Sequence, residues 1–172
     1  SETGNRLFLH GGDAVQGSLY FNAYRGEADF RFLNLLGVDA MTLGNHEFDK
    51  GPEVLARMIE EAGFPILSAN TRFPEGSRLA ERVIPYAIKD YGEDRVGIVG
   101  ITTPDTPIIS KPGSSVVFQA VLPAVRRAVR DLEERGIDKI IVLSHIGYDE
   151  DIQLAREVRG IDIVVGGHSH TL

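Results

Sequence analysis

The chain has no cysteine among its 172 residues, which excludes a disulfide framework and any thiolate metal site. No apolar run approaches the length of a membrane span, and Ser1-Glu2-Thr3-Gly4 does not read as a signal peptide. Basic residues are not in excess either. The formal net charge is -7, opposite to the basic surface on which non-specific nucleic-acid binding relies. That charge leaves room for a phosphate ester, because bound divalent cations can reverse the local sign. A metal in this chain would have to be held by His, Asp and Asn, a mixed N/O set that suits zinc, manganese, iron or cobalt. What is present is enough for one domain with a sizeable core, since 42% of the residues are hydrophobic.

Apolar runs that end in glycine or a polar side chain recur along the chain. Ser1 to Asn5 reads as the tail of a helix closed by Gly4-Asn5, and Arg6 to His10 as a short strand followed at once by Gly11-Gly12-Asp13. After a turn at Val15 to Ser18, residues 19–36 form one helical stretch, with Phe21, Tyr24, Ala28, Phe32, Leu35 and Leu36 near helical spacing. Val38 to Leu43 is a second strand, Pro52 to Ala62 a helix, and Phe64 to Ala69 a third strand ending at Asn70. Thr71 to Glu81 has the composition of a loop. Tyr86 to Lys89 and Arg95 to Ile101 read as an antiparallel hairpin. Thr102 to Ser115, with three prolines, is a long irregular connection of the kind that is often functional. Val116 to Phe118 is a short extended piece. Gln119 to Arg135 is an amphipathic helix with Pro123 in its first turn. Lys139 to Ser144 is a buried strand followed by His145. Asp149 to Arg159 is a helix, and Ile161 to Val165 is a last strand that runs into Gly166-Gly167-His168-Ser169-His170.

Asp13, Asn45, His46, His145, His168 and His170 all fall within a few residues of the carboxyl end of an expected strand. In a parallel α/β sheet those ends share one edge, where ligands bind. Taken alone, Gly44-Asn45-His46-Glu47-Phe48-Asp49 is also what a polar turn with a capping Asp looks like. Four of the five histidines at equivalent places, together with Asp and Asn, point instead to a site. The donor types suit a two-metal centre, in which a carboxylate bridges two cations and imidazoles and an amide complete their spheres. Asp49 is close enough in sequence to orient the His46 ring. His10 lies inside the first strand and reads as structural, and Asn70 as a turn residue.

In that order, Gly-Asp-Ala-Val-Gln-Gly-Ser, Gly-Asn-His-Glu-Phe-Asp, Ser-His-Ile-Gly and Gly-Gly-His-Ser-His-Thr resemble the motifs of the calcineurin-like metallophosphoesterases. Thr103-Pro104-Asp105-Thr106-Pro107 and Ser110-Lys111-Pro112-Gly113 are similar to the 5′-nucleotidase family within them. The resemblance implies an α/β fold, a layered sandwich with the metal site at the carboxyl ends of the strands. It also implies a catalytic domain spanning residues 1–172, with two divalent ions (Zn, Mn, Co or Fe) and a small-molecule nucleotide as substrate. Asp13 would bridge the ions, Asn45, His145 and His168 would complete one site, and His170 would belong to the other. His46 would bind no metal but stabilise charge on the phosphate, with Asp49 fixing its tautomer. The activity implied is hydrolysis of a nucleotide phosphate monoester by metal-activated hydroxide, in a periplasmic, extracellular or cell-surface location. A 2′,3′-cyclic nucleotide phosphodiesterase/3′-nucleotidase uses the same core and is the neighbouring alternative. An inactive metal-binding module is another.

The family's first motif, Asp-x-His, is absent from the chain, and so is the family's C-terminal nucleotide-binding domain. The expectation is therefore a partial catalytic domain, incomplete at both ends. Taken by itself it should bind about one transition metal per molecule and hydrolyse AMP negligibly, because two-metal hydrolysis needs both cations.

Overall fold

The computed structural model describes residues 5–17 and 19–171. The helix tail expected at the start of the chain therefore lies, apart from Asn5, outside the described residues. In chain order the elements are β1 (Leu9–His10), α1 (Leu19–Tyr24), α2 (Glu27–Leu36), β2 (Ala40–Thr42), a single 3-10 turn (His46–Phe48), α3 (Pro52–Glu60) and β3 (Ile66–Leu67). Then come β4 (Thr71–Arg72), α4 (Arg78–Arg82), β5 (Val83–Ile84), β6 (Tyr86–Tyr91), β7 (Asp94–Thr102), α5 (Thr106–Ile109) and β8 (Val117–Phe118). The last four are α6 (Val121–Glu134), β9 (Lys139–His145), α7 (Tyr148–Glu157) and β10 (Ile163–Val165).

The strands form two four-stranded sheets rather than one. The first runs β1-β2-β3-β5, all parallel. The second runs β10-β9-β7-β6, parallel except for β6, which makes the expected antiparallel hairpin with β7. A small ribbon of β4 and β8 stands apart. Successive side chains on a strand point to opposite faces, and the buried residues sort accordingly. Ala40, Leu67, Ile98 and Leu143 meet between the two sheets. Met41 and Ile66 turn outward against α2 and α3, while Val99 and Val142 turn outward against α6 and α7. The result is a four-layer sandwich, helices on sheet on sheet on helices.

Hydroxyl groups and one amide tie the two sheets together. Thr42 Oγ1 lies 3.1 Å from Leu67 O and 3.2 Å from Ile101 O, and Thr102 Oγ1 donates to Leu43 O at 2.8 Å. Asn70 is fully buried and donates to Thr102 O and Gln119 O while accepting from the Thr102 N–H. That amide is spent on the scaffold, joining segments distant in sequence as well as shaping the turn after β3.

Three local expectations are corrected. The stretch 19–36 is two helices, broken where Arg25 (φ 52°) and Gly26 (φ 90°) enter the left-handed region. Gly26 is needed there because a Cβ would run into the Met58 side chain. The break rotates α2, so Phe30 and Leu33 face the core, whereas Phe32 (60% exposed) and Leu35 (85%) face solvent; Tyr24, at the end of α1, is exposed too. Residues 71–81 are not simply a loop. They hold β4 and the start of α4, which Ser77 caps by accepting the Ala80 N–H at 3.2 Å. The connection 102–115 contains the short helix α5.

Candidate metal centre

The loops after β1 and β2 leave the first sheet at the same edge as those after β9 and β10 leave the second. They approach so closely that a Cβ on Gly12 would lie 2.7 Å from the Gly44 nitrogen and 2.7 Å from His145 Nδ1, and one on Gly44 would strike Asp13. Only glycine permits that contact. Asp13, His168 and His170 adopt positive φ (56°, 76° and 52°), and among the described residues Arg25 is the one other non-glycine to do so. Backbone strain of this kind gathers at functional sites.

Donor atoms of Asp13, His145 and His168 lie within 4.8 Å of one another. His145 Nδ1 donates to Gly11 O at 2.6 Å, which fixes the tautomer and leaves Nε2 with its lone pair. That Nε2 is buried and 3.0 Å from Asp13 Oδ2, a contact without the alignment of a hydrogen bond, and it has no other partner. Asn45 is 3% exposed, and its Oδ1 also lacks a partner. Two buried electron-pair donors without protons to accept, beside a carboxylate and a second imidazole, are what a divalent cation would satisfy. The donor set fits a metal. His170 is exposed and stands outside the trio. Asp13, His145 and His168 are thus brought together across two sheets, and Asn45 lies after β2 at the same edge of the first sheet.

The cluster's field favours positive charge at its centre, for which a proton on His145 and a cation would compete. Burial pushes the Asp13 carboxyl up, but His145 and the His46 N–H outweigh it and hold Asp13 below the ordinary carboxylate range. Burial lowers His145, yet the Asp13 charge wins and raises it above the usual imidazole value. Burial and then the neighbouring His145 lower His168, favouring the neutral ring that a ligand must be. His10 does not join the cluster. Its Nδ1 accepts the Gly12 N–H at 3.3 Å, so it serves the loop.

His46 sits beside the centre, its N–H donating to Asp13 Oδ1 at 2.9 Å. Its Nδ1 is 2.8 Å from Asp49 Oδ2, and the other oxygen of Asp49 accepts from Ser110 Oγ at 2.8 Å. The expected pairing of His46 with Asp49 is thus present in the geometry.

Sequence reasoning missed three residues. Glu47 is fully buried, and its carboxylate accepts the N–H groups of Asp13 (2.9 Å), Ala14 (2.7 Å) and Gly44 (2.7 Å), clamping the two loops together. Burial and the Asp13 charge push its pKa up to about 7 against the pull of those N–H groups. Asp151 on α7 joins Asp13, His145 and His168 in lining a cleft of about 580 Å³, and its Oδ1 is buried without a partner. Ser110 is the third.

Comparison with known proteins extends this picture. Residues 1–172 match the family described as calcineurin-like phosphoesterase. The chain is 44% identical over 170 residues to the 5′-nucleotidase of Homo sapiens, spanning 97% of this chain and 30% of that protein. It is 38% identical over 204 residues to the trifunctional nucleotide phosphoesterase protein YfkN of Bacillus subtilis, spanning 100% of this chain and 14% of that protein. The solved structure of the 5′-nucleotidase precursor from Thermus thermophilus superposes with a TM-score of 0.96 at 50% identity, covering 99% of this chain and 34% of that one. The chain thus spans about a third or less of the length of these relatives.

Proposed function

The chain belongs to the calcineurin-like phosphoesterase family, and we propose that the protein containing it hydrolyses nucleotide phosphate monoesters, in the manner of a 5′-nucleotidase. The family uses divalent metals. One observation carries the reading: Asn45 Oδ1 and His145 Nε2 are buried without partners beside Asp13 and His168. Asp13, Asn45, His145 and His168 would hold one ion, and Asp13 with His170 would contribute to a second. When bound, such ions supply Lewis acidity toward water and the phosphoryl group.

The chain's own groups do the rest. Water attacks phosphorus, the P–O ester bond breaks, and the nucleoside oxygen leaves with a proton to give inorganic phosphate and nucleoside. With Asp49 holding the Nδ1–H of His46, protonation at Nε2 makes an imidazolium that donates to a phosphoryl oxygen as its charge develops. Glu47 keeps Asp13 and the Gly44 turn in register. We infer the periplasmic, extracellular or cell-surface location from relatives that include snake-venom enzymes and a precursor form. Among the described residues no helix is long and apolar enough to cross a membrane. A second reading, 2′,3′-cyclic phosphodiesterase with 3′-nucleotidase activity, is favoured by the likeness to the trifunctional phosphoesterase.

The test is phosphate release by the full-length protein with Mn²⁺, comparing AMP, 3′-AMP and 2′,3′-cyclic AMP. Turnover of AMP that chelator abolishes is the expected result. Preference for the cyclic ester would favour the second reading, and release unaffected by chelator would overturn both.

A further inference from the structure

We propose that Ser110 is a positioning residue for the His46–Asp49 pair, the connection 102–115 supplying the hydroxyl that sets the Asp49 carboxylate. This rests on the nucleotidase reading above. Ser110 Oγ donates to Asp49 Oδ1 at 2.8 Å while Asp49 Oδ2 holds His46 Nδ1 at 2.8 Å, so both carboxylate oxygens are engaged and the group cannot rotate away from the imidazole. Without the hydroxyl, one oxygen would turn toward the cleft of about 370 Å³ that Asp49 and Ser110 line with Lys50, Ile108 and Ile109.

The hydroxyl is itself held in place. The Ser110 N–H donates to Thr106 O at 2.9 Å, and Thr106 Oγ1 donates to Thr103 O at 2.7 Å. Thr103 follows Thr102, which is fixed between the sheets by Asn70 and by the Leu43 carbonyl. A continuous path of hydrogen bonds and backbone thus runs from the buried inter-sheet layer to Asp49, 61 residues away from Ser110 in sequence. Ser110 suits this role because its side chain is short, half-buried, and bonded to nothing else among the described residues.

The experiment compares Ser110→Ala and Ser110→Thr with wild type in the full-length protein. Loss of one hydrogen bond to a charged, partly exposed group should lower kcat for AMP about five- to tenfold, with KM and Mn²⁺ content unchanged. Ser110→Thr, which keeps the hydroxyl, should recover to within about twofold of wild type on the same scale. A second measurement does not depend on turnover. The His46 Nδ1 proton, followed by NMR in the chain itself, should exchange with water about fivefold faster in Ser110→Ala. Wild-type kcat and an unchanged His46 proton in Ser110→Ala would overturn the proposal, as would a threonine variant as slow as the alanine one. If wild type releases phosphate from no ester, the nucleotidase reading falls, and the NMR comparison still decides the role of Ser110.

Discussion

Replacing Asn45 by alanine should move two quantities that a merely structural asparagine would move together. In the metal-free chain, Asn45 Oδ1 is buried and unpartnered, a condition that costs about 1–3 kcal/mol. The substitution removes that cost and also deletes some buried packing, worth about 1 kcal/mol. Stability in chelator should therefore stay within about 1 kcal/mol of wild type, or rise. Metal affinity should fall, because a ligand in direct contact matters at least as much as the outer partners whose loss costs about 10–100-fold. At a Mn²⁺ concentration of about 100 Kd, bound metal adds about 2.7 kcal/mol to wild type. A tenfold weaker site would retain about 1.4 kcal/mol of that under the same linkage relation. Urea unfolding in chelator and at one fixed Mn²⁺ concentration, with calorimetric titration of Mn²⁺, reads both effects. A variant that loses more than about 2 kcal/mol in chelator and titrates Mn²⁺ like wild type would refute the reasoning and make Asn45 a turn residue.

Three further outcomes are expected. His46→Asn in the full-length protein should reduce kcat by roughly 10²–10³, as for removal of one transition-state donor, with metal content unchanged by elemental analysis. Glu47→Gln should weaken Mn²⁺ binding by about 10–100-fold in calorimetric titration, since it removes an acceptor from the N–H groups of Asp13, Ala14 or Gly44 and a negative charge near the site. The third concerns pH. Burial raises Asp39, but Lys89 at 2.6 Å and the Phe8 N–H outweigh it and leave the carboxyl below its ordinary value of 3.8. A depressed carboxyl stabilises the fold above its unfolded pKa, and that contribution is lost as pH falls through the lowered folded value. Asp39→Asn should accordingly cost about 1 kcal/mol near neutrality, with the gap to wild type closing in acid by chemical denaturation.

The candidate ligands were legible because strand-end chemistry is local. An apolar run followed by Gly-Asp or Gly-Asn-His announces both the strand and the side chain at its end. That these ends belong to two sheets was not legible, since a parallel strand has the same pattern whichever sheet it joins. The break between α1 and α2 was hidden because the residue that limits Gly26 to glycine, Met58, lies far along the chain. The apolar residues on both sides of the break kept a plausible helical spacing. Glu47 was overlooked because its partners are backbone N–H groups, which carry no letter. Ser110 escaped because what it holds, Asp49, is 61 positions earlier. The cap of α4 was readable in Ser77, but the Gly and Pro around it argued for a loop.

The division of the centre between two sheets has a consequence for the order of folding. Asp13 and Asn45 follow strands of the first sheet, and His145 and His168 belong to the ends of strands of the second. Gly11 and His145, which meet directly, are 134 residues apart. A chain emerging from the ribosome can bury the core beneath α2 and α3 well before β9 has been synthesised. At that stage two of the four candidate donors, Asp13 and Asn45, have no imidazole opposite them. Metal capture therefore cannot guide the early steps of folding, unlike the small metal-nucleated domains that are unfolded without their ion. Were the proposed centre to take up an ion, it would do so after the two halves have docked. On the proposed metal reading, the chain would reach its fold before it takes up an ion.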